Sequence, residues 1–243
     1  RGIGAAIAAE LARRGANVTL MARSARELAD RAHALRERGV HATAVPCDVA
    51  DEASVARAFA QAREALGEVT VLVNNAGMAE SALLGDTDRA LWDATLATNL
   101  TGAYLCARQV LPAMLAARRG RIVNVASTAG LRGYKRMAAY CAAKHGVVGL
   151  TRALALETAR HGVTVNAVCP GYTETTMTDH AVENLTGALG VTPDEARAML
   201  VRPIPRGALT TPAEVAVAVA WLCAPEAAAV TGVALPVAGG EVT

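Results

Sequence analysis

Tyr140 and Lys144 stand four residues apart in a run with helical character, Ala138-Ala139-Tyr140-Cys141-Ala142-Ala143-Lys144. Positions i and i+4 share a helix face, so a phenol and an ammonium spaced this way can point into one cleft. A neighbouring ammonium favours phenolate and draws a tyrosine pKa down from its ordinary value of about 10. Lysine is an informative choice here, because the chain avoids it. Of 24 basic residues 22 are arginine, and only Lys135 and Lys144 are lysine. Arginine would supply the charge but could not pass a proton on. The pair suits proton transfer to a small molecule. The plainer alternative is an aromatic on a helix with a surface lysine nearby.

A second candidate lies at the start of the chain. Gly2 and Gly4 precede a helix-forming run, Ala5-Ala6-Ile7-Ala8-Ala9-Glu10-Leu11. Glycines there let the backbone approach a pyrophosphate, which would rest on the positive end of the helix. The dinucleotide fingerprint asks for a third small residue at position 7, and this chain has Ile7. A tight turn into a helix, with no ligand, is the alternative. Other reactive types offer less. Cys47, Cys106, Cys141, Cys169 and Cys223 are odd in number and include no Cys-x-x-Cys pair, so neither a disulfide framework nor a zinc site is expected. His33, His41, His145, His161 and His180 lack metal-ligand spacing, and no metal is expected.

These side chains need a scaffold, and the chain alternates short β-branched runs with helix-length segments. The strands are predicted at Asn17–Ala22, Ala42–Cys47, Val69–Asn74, Arg121–Ala126, Val163–Val168 and Val233–Val237. Ala143, Val147, Leu150 and Leu154 step by helical spacing and predict the buried stripe of a long helix. Gly15 and Gly162 suit left-handed helix ends, and Asp86-Thr87-Asp88 offers an N-cap. Strand and helix in alternation imply right-handed crossovers and a mostly parallel sheet covered on both faces, a single doubly wound α/β domain spanning 1–243. The polar, interrupted stretch Tyr172–Pro205 is expected to form a movable lid over substrate. Arg1 opens on what looks like the inside of the glycine motif, with no strand ahead of it. The first strand of this architecture is central, so one is expected before Arg1 and the sequence is read as lacking its beginning.

Composition agrees with such a domain and excludes other classes. The 243 residues carry a formal charge of +2, too balanced for a dedicated nucleic-acid binder. Hydrophobic residues make up 53% and aromatics 3%, with 56 alanines, which favours helices packed closely on a sheet. The longest apolar run, Val215 to Ala224, is far short of a membrane span. No targeting segment is legible, and a reducing cytoplasmic setting is expected.

Taken in order, further motifs make the chain resemble the short-chain dehydrogenase/reductase family, in its short single-domain form. Arg1-Gly2-Ile3-Gly4 is similar to the end of the family's glycine-rich loop. Asp48-Val49 follows the third-strand position of the family, where adenine is contacted, and Asn74-Asn75-Ala76-Gly77 matches its Asn-Asn-Ala-Gly segment. Asn99, in Thr-Asn-Leu-Thr-Gly, fits the helix asparagine of the catalytic tetrad, and Ser127 ends a strand thirteen residues before Tyr140. Pro170-Gly171-Tyr172-Thr173-Glu174-Thr175 resembles the loop holding the nicotinamide carboxamide, which implicates Pro170, Gly171, Thr173 and Thr175. Taken singly, Ser127 and Asn99 could be ordinary turn and cap residues.

The resemblance implies a Rossmann-type fold and reversible hydride transfer between nicotinamide and a carbonyl carbon. Tyr140 would donate the proton and Ser127 would hold the carbonyl oxygen. Lys144 would depress the Tyr140 pKa and bind the nicotinamide ribose, and Asn99 would anchor a water chain to Lys144. Enzymes using NAD place an acidic residue after the second strand. Here the strand ends in Arg23-Ser24, and the resemblance brings Arg1 near the same ribose. Two guanidiniums suit a 2′-phosphate, so NADP(H) is favoured over NAD(H), unless Arg23 only caps a surface loop. The expected activity is NADPH-dependent ketone reduction, similar to polyketide ketoreductases and 3-oxoacyl-thioester reductases. The alternatives are an NAD-linked dehydrogenase of secondary alcohols or hydroxyacyl-CoA, and a regulatory protein that senses NADP(H) without turnover. The family also implies a homotetramer, or at least a dimer, built on long Ala-rich helices after Leu100 and after Tyr140. Arg118-Arg119 and Arg132 with Lys135-Arg136 could meet an acyl carrier, or be solvated charge, and His145 is expected to do no chemistry.

Overall fold

Alternation of apolar strands with capped helices produces, in the computed structural model of residues 1–242, a parallel α/β sandwich. In chain order the elements are α1 (Gly2–Arg13), β1 (Val18–Ala22), α2 (Ala25–Arg36), β2 (Ala42–Pro46), α3 (Glu52–Leu66), β3 (Val71–Asn74), α4 (Arg89–Leu96) and α5 (Gly102–Ala117). There follow β4 (Gly120–Val125), α6 (Ala138–Thr158), β5 (Val163–Pro170), α7 (Thr176–Leu189), α8 (Pro193–Val201), α9 (Pro212–Cys223) and β6 (Ala234–Val237). Each predicted strand is present, with ends displaced by one or two residues. Gly15 and Gly162 take positive φ after their helices, and the Asp88 carboxylate accepts from the Leu91 amide at 2.7 Å to cap α4.

All pairings are parallel, but the sheet is divided. One part has the order β1-β2 and the other β3-β4-β5-β6, and β1 and β3 do not pair. Register runs Val18↔Ala42 in the smaller part and Gly120↔Val163 in the larger. Strand β5 is buried along its whole length, as a central parallel strand should be. Side-chain alternation splits the core into two layers. Val55, Phe59, Leu105, Val110 and Met114 from α3 and α5 pack with Ile122 and Val165 on one face. Ile7, Val215, Val219 and Leu222 from α1 and α9 pack with Val123, Val125 and Val168 on the other.

Helix α6 departs from the predicted stripe. Ala143 and Val147 are buried, but Leu150 and Leu154 are only half-buried. The deep face continues instead through Thr151, Ala155 and Thr158. The threonine hydroxyls donate to the carbonyls of Val147 and Leu154, both at 2.8 Å, so the helix itself satisfies them. Thr151 also accepts from Asn124 Nδ2 at 2.9 Å, and Asn124 accepts from Asn74 Nδ2 at 2.9 Å. This buried polar chain locks β3, β4 and α6 together beneath the site.

Candidate active site

In a parallel sheet ligands bind beyond the carboxyl ends of the strands, and the residues singled out by their chemistry collect there. Ser127 leaves β4 in extended conformation, and its Oγ accepts from the Ala129 amide at 3.1 Å, which starts a tight turn over Thr128–Gly130. Glycine at 130 is a steric requirement. A methyl there would lie 2.7 Å from the Lys144 carbonyl oxygen, so only glycine lets the turn rest on the backbone of α6. That contact carries Ser127 to the side of Tyr140.

Lys144 is 4% exposed, and its Nζ donates to the Val125 carbonyl at 2.9 Å. Burial pulls its pKa down to about 8. Tyr140 is half-buried, and loss of solvent pushes its phenol up to about 12, with the Ser127 hydroxyl working in the other direction. The expected depression of Tyr140 by Lys144 is therefore corrected. The ammonium, 5.6 Å from the centre of the Tyr140 ring, is aimed at a backbone carbonyl, and burial of the phenol sets the direction of its shift.

Asn99 sits in a π-helical stretch, Ala97–Thr101, between α4 and α5. The widened turn, a feature common at functional sites, turns its side chain inward. Nδ2 donates to the carbonyls of Met78 and Thr95, both at 2.9 Å, while Oδ1 is buried with no hydrogen-bond partner among the described residues. A methyl on Gly77 would lie 3.0 Å from that oxygen and 3.7 Å from Lys144 Nζ, so both side chains converge on Gly77. Asn99, Ser127, Tyr140 and Lys144 thus form one cluster.

A second wall is assembled from three separate stretches. Gly2 takes φ +54°, and a methyl on it would lie 3.2 Å from Thr175 Cγ2. A methyl on Gly4 would lie 2.6 Å from Asn75 Nδ2, next to Ala76. Both glycines lie in the first turn of α1. Ile3 packs into the core beside Ile7. The loop after β5 is pinned by its own threonines: Thr173 Oγ1 donates to the Gly171 carbonyl at 3.0 Å, and Thr175 Oγ1 to the Thr173 carbonyl at 3.3 Å. Pro170 pairs with Val237 in the sheet. The glycine backbone at the start of α1 and its close approach to Asn75 fit a dinucleotide phosphate.

The remaining cofactor candidates follow β1 and β2. Arg23 and Ser24 follow β1 on the smaller part of the sheet, where Ser24 Oγ accepts from the Glu27 amide at 3.4 Å to cap α2. A shallow cleft of about 320 Å³ is lined by Arg1, Glu27, Asp30 and Arg31. Arg31 shares this cleft with Arg1, beside the carboxylates of Glu27 and Asp30. The spacing of 27, 30 and 31 puts them on one helix face, but nothing local in the sequence turns that face toward Arg1. Asp48 makes a local turn, its carboxylate accepting from the Ala50 amide at 3.0 Å, and Val49 packs on Gly102. Sequence reasoning also passed over Cys169, buried at the end of β5 with its thiol pushed up to about 11 by burial, and over Thr128, Tyr134 and Glu241. A larger groove of about 640 Å³, with Asp179, Glu183, Asp194 and Arg197 on its walls, contains none of the clustered residues.

Comparison with known proteins agrees with this geometry. Residues 1–186 match the family described as short chain dehydrogenase. The chain is 44% identical over 241 residues to the granaticin polyketide synthase putative ketoacyl reductase 1 of Streptomyces violaceoruber, covering 98% of this chain and 89% of that protein. It is 40% identical to the 3-oxoacyl-(acyl-carrier-protein) reductase FabG of Vibrio cholerae, covering 99% and 93%. A crystal structure of a variant actinorhodin polyketide ketoreductase with NADPH superposes with a TM-score of 0.95 at 44% identity, covering 99% of this chain and 93% of that one.

Proposed function

Because the chain belongs to the short-chain dehydrogenase family, we propose that it is an NADPH-dependent reductase of ketones, with a 3-oxoacyl thioester or polyketide as substrate and Tyr140 as general acid. The observation that carries this reading is the convergence of Ser127, Tyr140, Lys144 and Asn99 beside the Gly2–Asn75–Thr175 wall. Gly2, Gly4, Asn75, Gly171 and Thr175 would hold the dinucleotide, with Lys144 at its ribose and Arg1, together with Arg23 after β1 or Arg31 on α2, toward the 2′-phosphate. Bound there, the nicotinamide supplies the hydride.

The rest of the work falls to the chain. With its pKa held high by burial, Tyr140 stays protonated through the neutral range and keeps a proton to give to the carbonyl oxygen. Ser127 holds that oxygen by hydrogen bond. Lys144, drawn down to about 8, can lose and regain a proton near neutrality, so it can restore the one Tyr140 gives up. The free Oδ1 of Asn99 can accept a hydrogen bond at the inner end of that route. In this reading residues 1–243 act as one catalytic domain, and 172–205, carrying α7 and α8, close over substrate. The shallow seating of α7, in which only Thr178 is buried, supports a movable element.

The test is absorbance decay of NADPH and of NADH with β-ketoacyl-CoA, ketoacyl-carrier and small cyclic ketones. Reduction with a preference for NADPH is expected, and Arg23→Asp separates the two arginine assignments. A loss of the NADPH preference in that variant would return the 2′-phosphate contact to Arg23. No oxidation of NADPH with any ketone would end the reductase reading.

A further inference from the structure

We propose that Tyr134 and Glu241 are positioning residues that hold the Ser127 turn in register for ketone reduction, an inference that rests on the reductase reading. Thr128, the residue after Ser127, is 4% exposed, and its Oγ1 lies 2.8 Å from Tyr134 Oη. Tyr134 Oη in turn lies 2.5 Å from Glu241 Oε1. A phenol has one proton and an ionised carboxylate only accepts, so the directions follow. Tyr134 donates to Glu241 and accepts from the Thr128 hydroxyl. A charge-assisted bond of this kind is about twice as strong as a neutral one.

This chain of three side chains joins stretches far apart in sequence: the turn after β4, the loop before α6 and the segment after β6. Its anchor reaches further. Glu241 Oε2 is buried with no hydrogen-bond partner among the described residues, and a methyl on Gly171 would lie 2.8 Å from it. One carboxylate is therefore wedged against the Gly171 loop while it holds the Ser127 turn through Tyr134. The Arg132 guanidinium covers the Tyr134 ring at 4.9 Å and steadies it from solvent. Burial, reinforced by Glu241, pushes the Tyr134 phenol up, which keeps it a neutral donor. None of the three groups needs to touch the reacting carbonyl. Their effect passes through Thr128 to the Ser127 hydroxyl, where a small displacement is costly to proton transfer.

The experiment compares Tyr134→Phe, Glu241→Ala, Glu241→Gln and the double variant Tyr134→Phe/Glu241→Ala in the full chain, with NADPH and a ketone the wild type reduces. Loss of the strap should lower kcat roughly tenfold or more in Tyr134→Phe and Glu241→Ala, with KM for both substrates unchanged. Glu241→Gln keeps an acceptor for Tyr134 and should recover most of the rate. The double variant should be no worse than the poorer single one, because both break the same chain. A second readout does not need turnover. The amides of Ala129, Gly130 and Leu131 are all held by the Ser127–Thr128 turn, and their hydrogen exchange should quicken in Tyr134→Phe and return in Glu241→Gln. Unchanged kcat in Tyr134→Phe, additive losses in the double variant, or unchanged exchange would each overturn the proposal. A wild type that reduces no ketone ends the reductase reading instead, and the strap then stands or falls on exchange alone.

Discussion

Lys144 is a buried ammonium that, among the described residues, has a backbone carbonyl for company and no carboxylate. Between about 8 and 10.5 the unfolded chain holds a proton on this side chain that the folded chain has released. Raising pH through that window therefore stabilises the folded state, by about 3 kcal/mol across the whole of it. Urea unfolding of wild type and Lys144→Met from pH 7 to 10.5, both in a Cys169→Ala background, isolates the effect, because Cys169 is the thiol whose charge couples to Lys144 and the more distant thiols cancel. The wild type should gain on the variant as pH rises, and a flat difference would show that Lys144 is not desolvated. The same residue accounts for a catalytic expectation. Lys144→Arg keeps the charge but cannot release a proton, and it should be severely impaired. Tyr140→Phe should lose turnover while still binding NADPH, as fluorescence titration would report; near-wild-type kcat would remove Tyr140 from its role as acid.

At the scale of elements, the site depends on how closely the Ser127 turn can approach α6. Gly130→Ala places a methyl 2.7 Å from the Lys144 carbonyl oxygen and 3.0 Å from its carbon, against backbone that cannot step aside. Overpacking of this kind costs about 1–3 kcal/mol, which at roughly 2–4 °C per kcal/mol in a chain of this size is a readily measured fall in Tm. Activity should fall with it, because the turn carries Ser127. Gly187→Ala in α7 meets nothing within 4 Å and should move the Tm the other way. Calorimetry on the pair checks both signs. The strands were legible to within two residues because β-branched runs and glycine punctuation are local signals. The deep face of α6 was not, because Thr151 and Thr158 look polar in sequence and become apolar only when the helix takes up their hydroxyls.

For the whole molecule, Tyr104 on α5 and Leu156 on α6 stand out to solvent, Leu156 at 84%. Exposed apolar residues on these two Ala-rich helices support the proposed homotetramer, in which small side chains allow a close two-fold contact. Sedimentation at micromolar concentration should find an assembly, and Leu156→Glu should shift it toward smaller species. A monomer throughout would remove this proposal. Among the described residues no helix is long and apolar enough to cross a membrane. Strand β3, paired on one side only, keeps Val71 and Val73 half-buried, while β5, flanked on both sides, is sealed.

Sequence alone determined the elements, their parallel order and the groups proposed to do chemistry. Those are encoded locally, in the period of apolar residues, in turn chemistry and in a four-residue spacing that a helix converts into a shared face. Only the tertiary structure decided what surrounds each group. The direction in which Lys144 points, the rise rather than fall of the Tyr140 pKa, and the partnership of Arg31 with Arg1 are set by segments remote in sequence. The link from Tyr134 to Glu241 spans 107 residues, and no spacing rule reaches that far. Burial and contact across the fold are collective properties: desolvation depends on everything packed around a side chain, and a sequence read along its length contains no record of it.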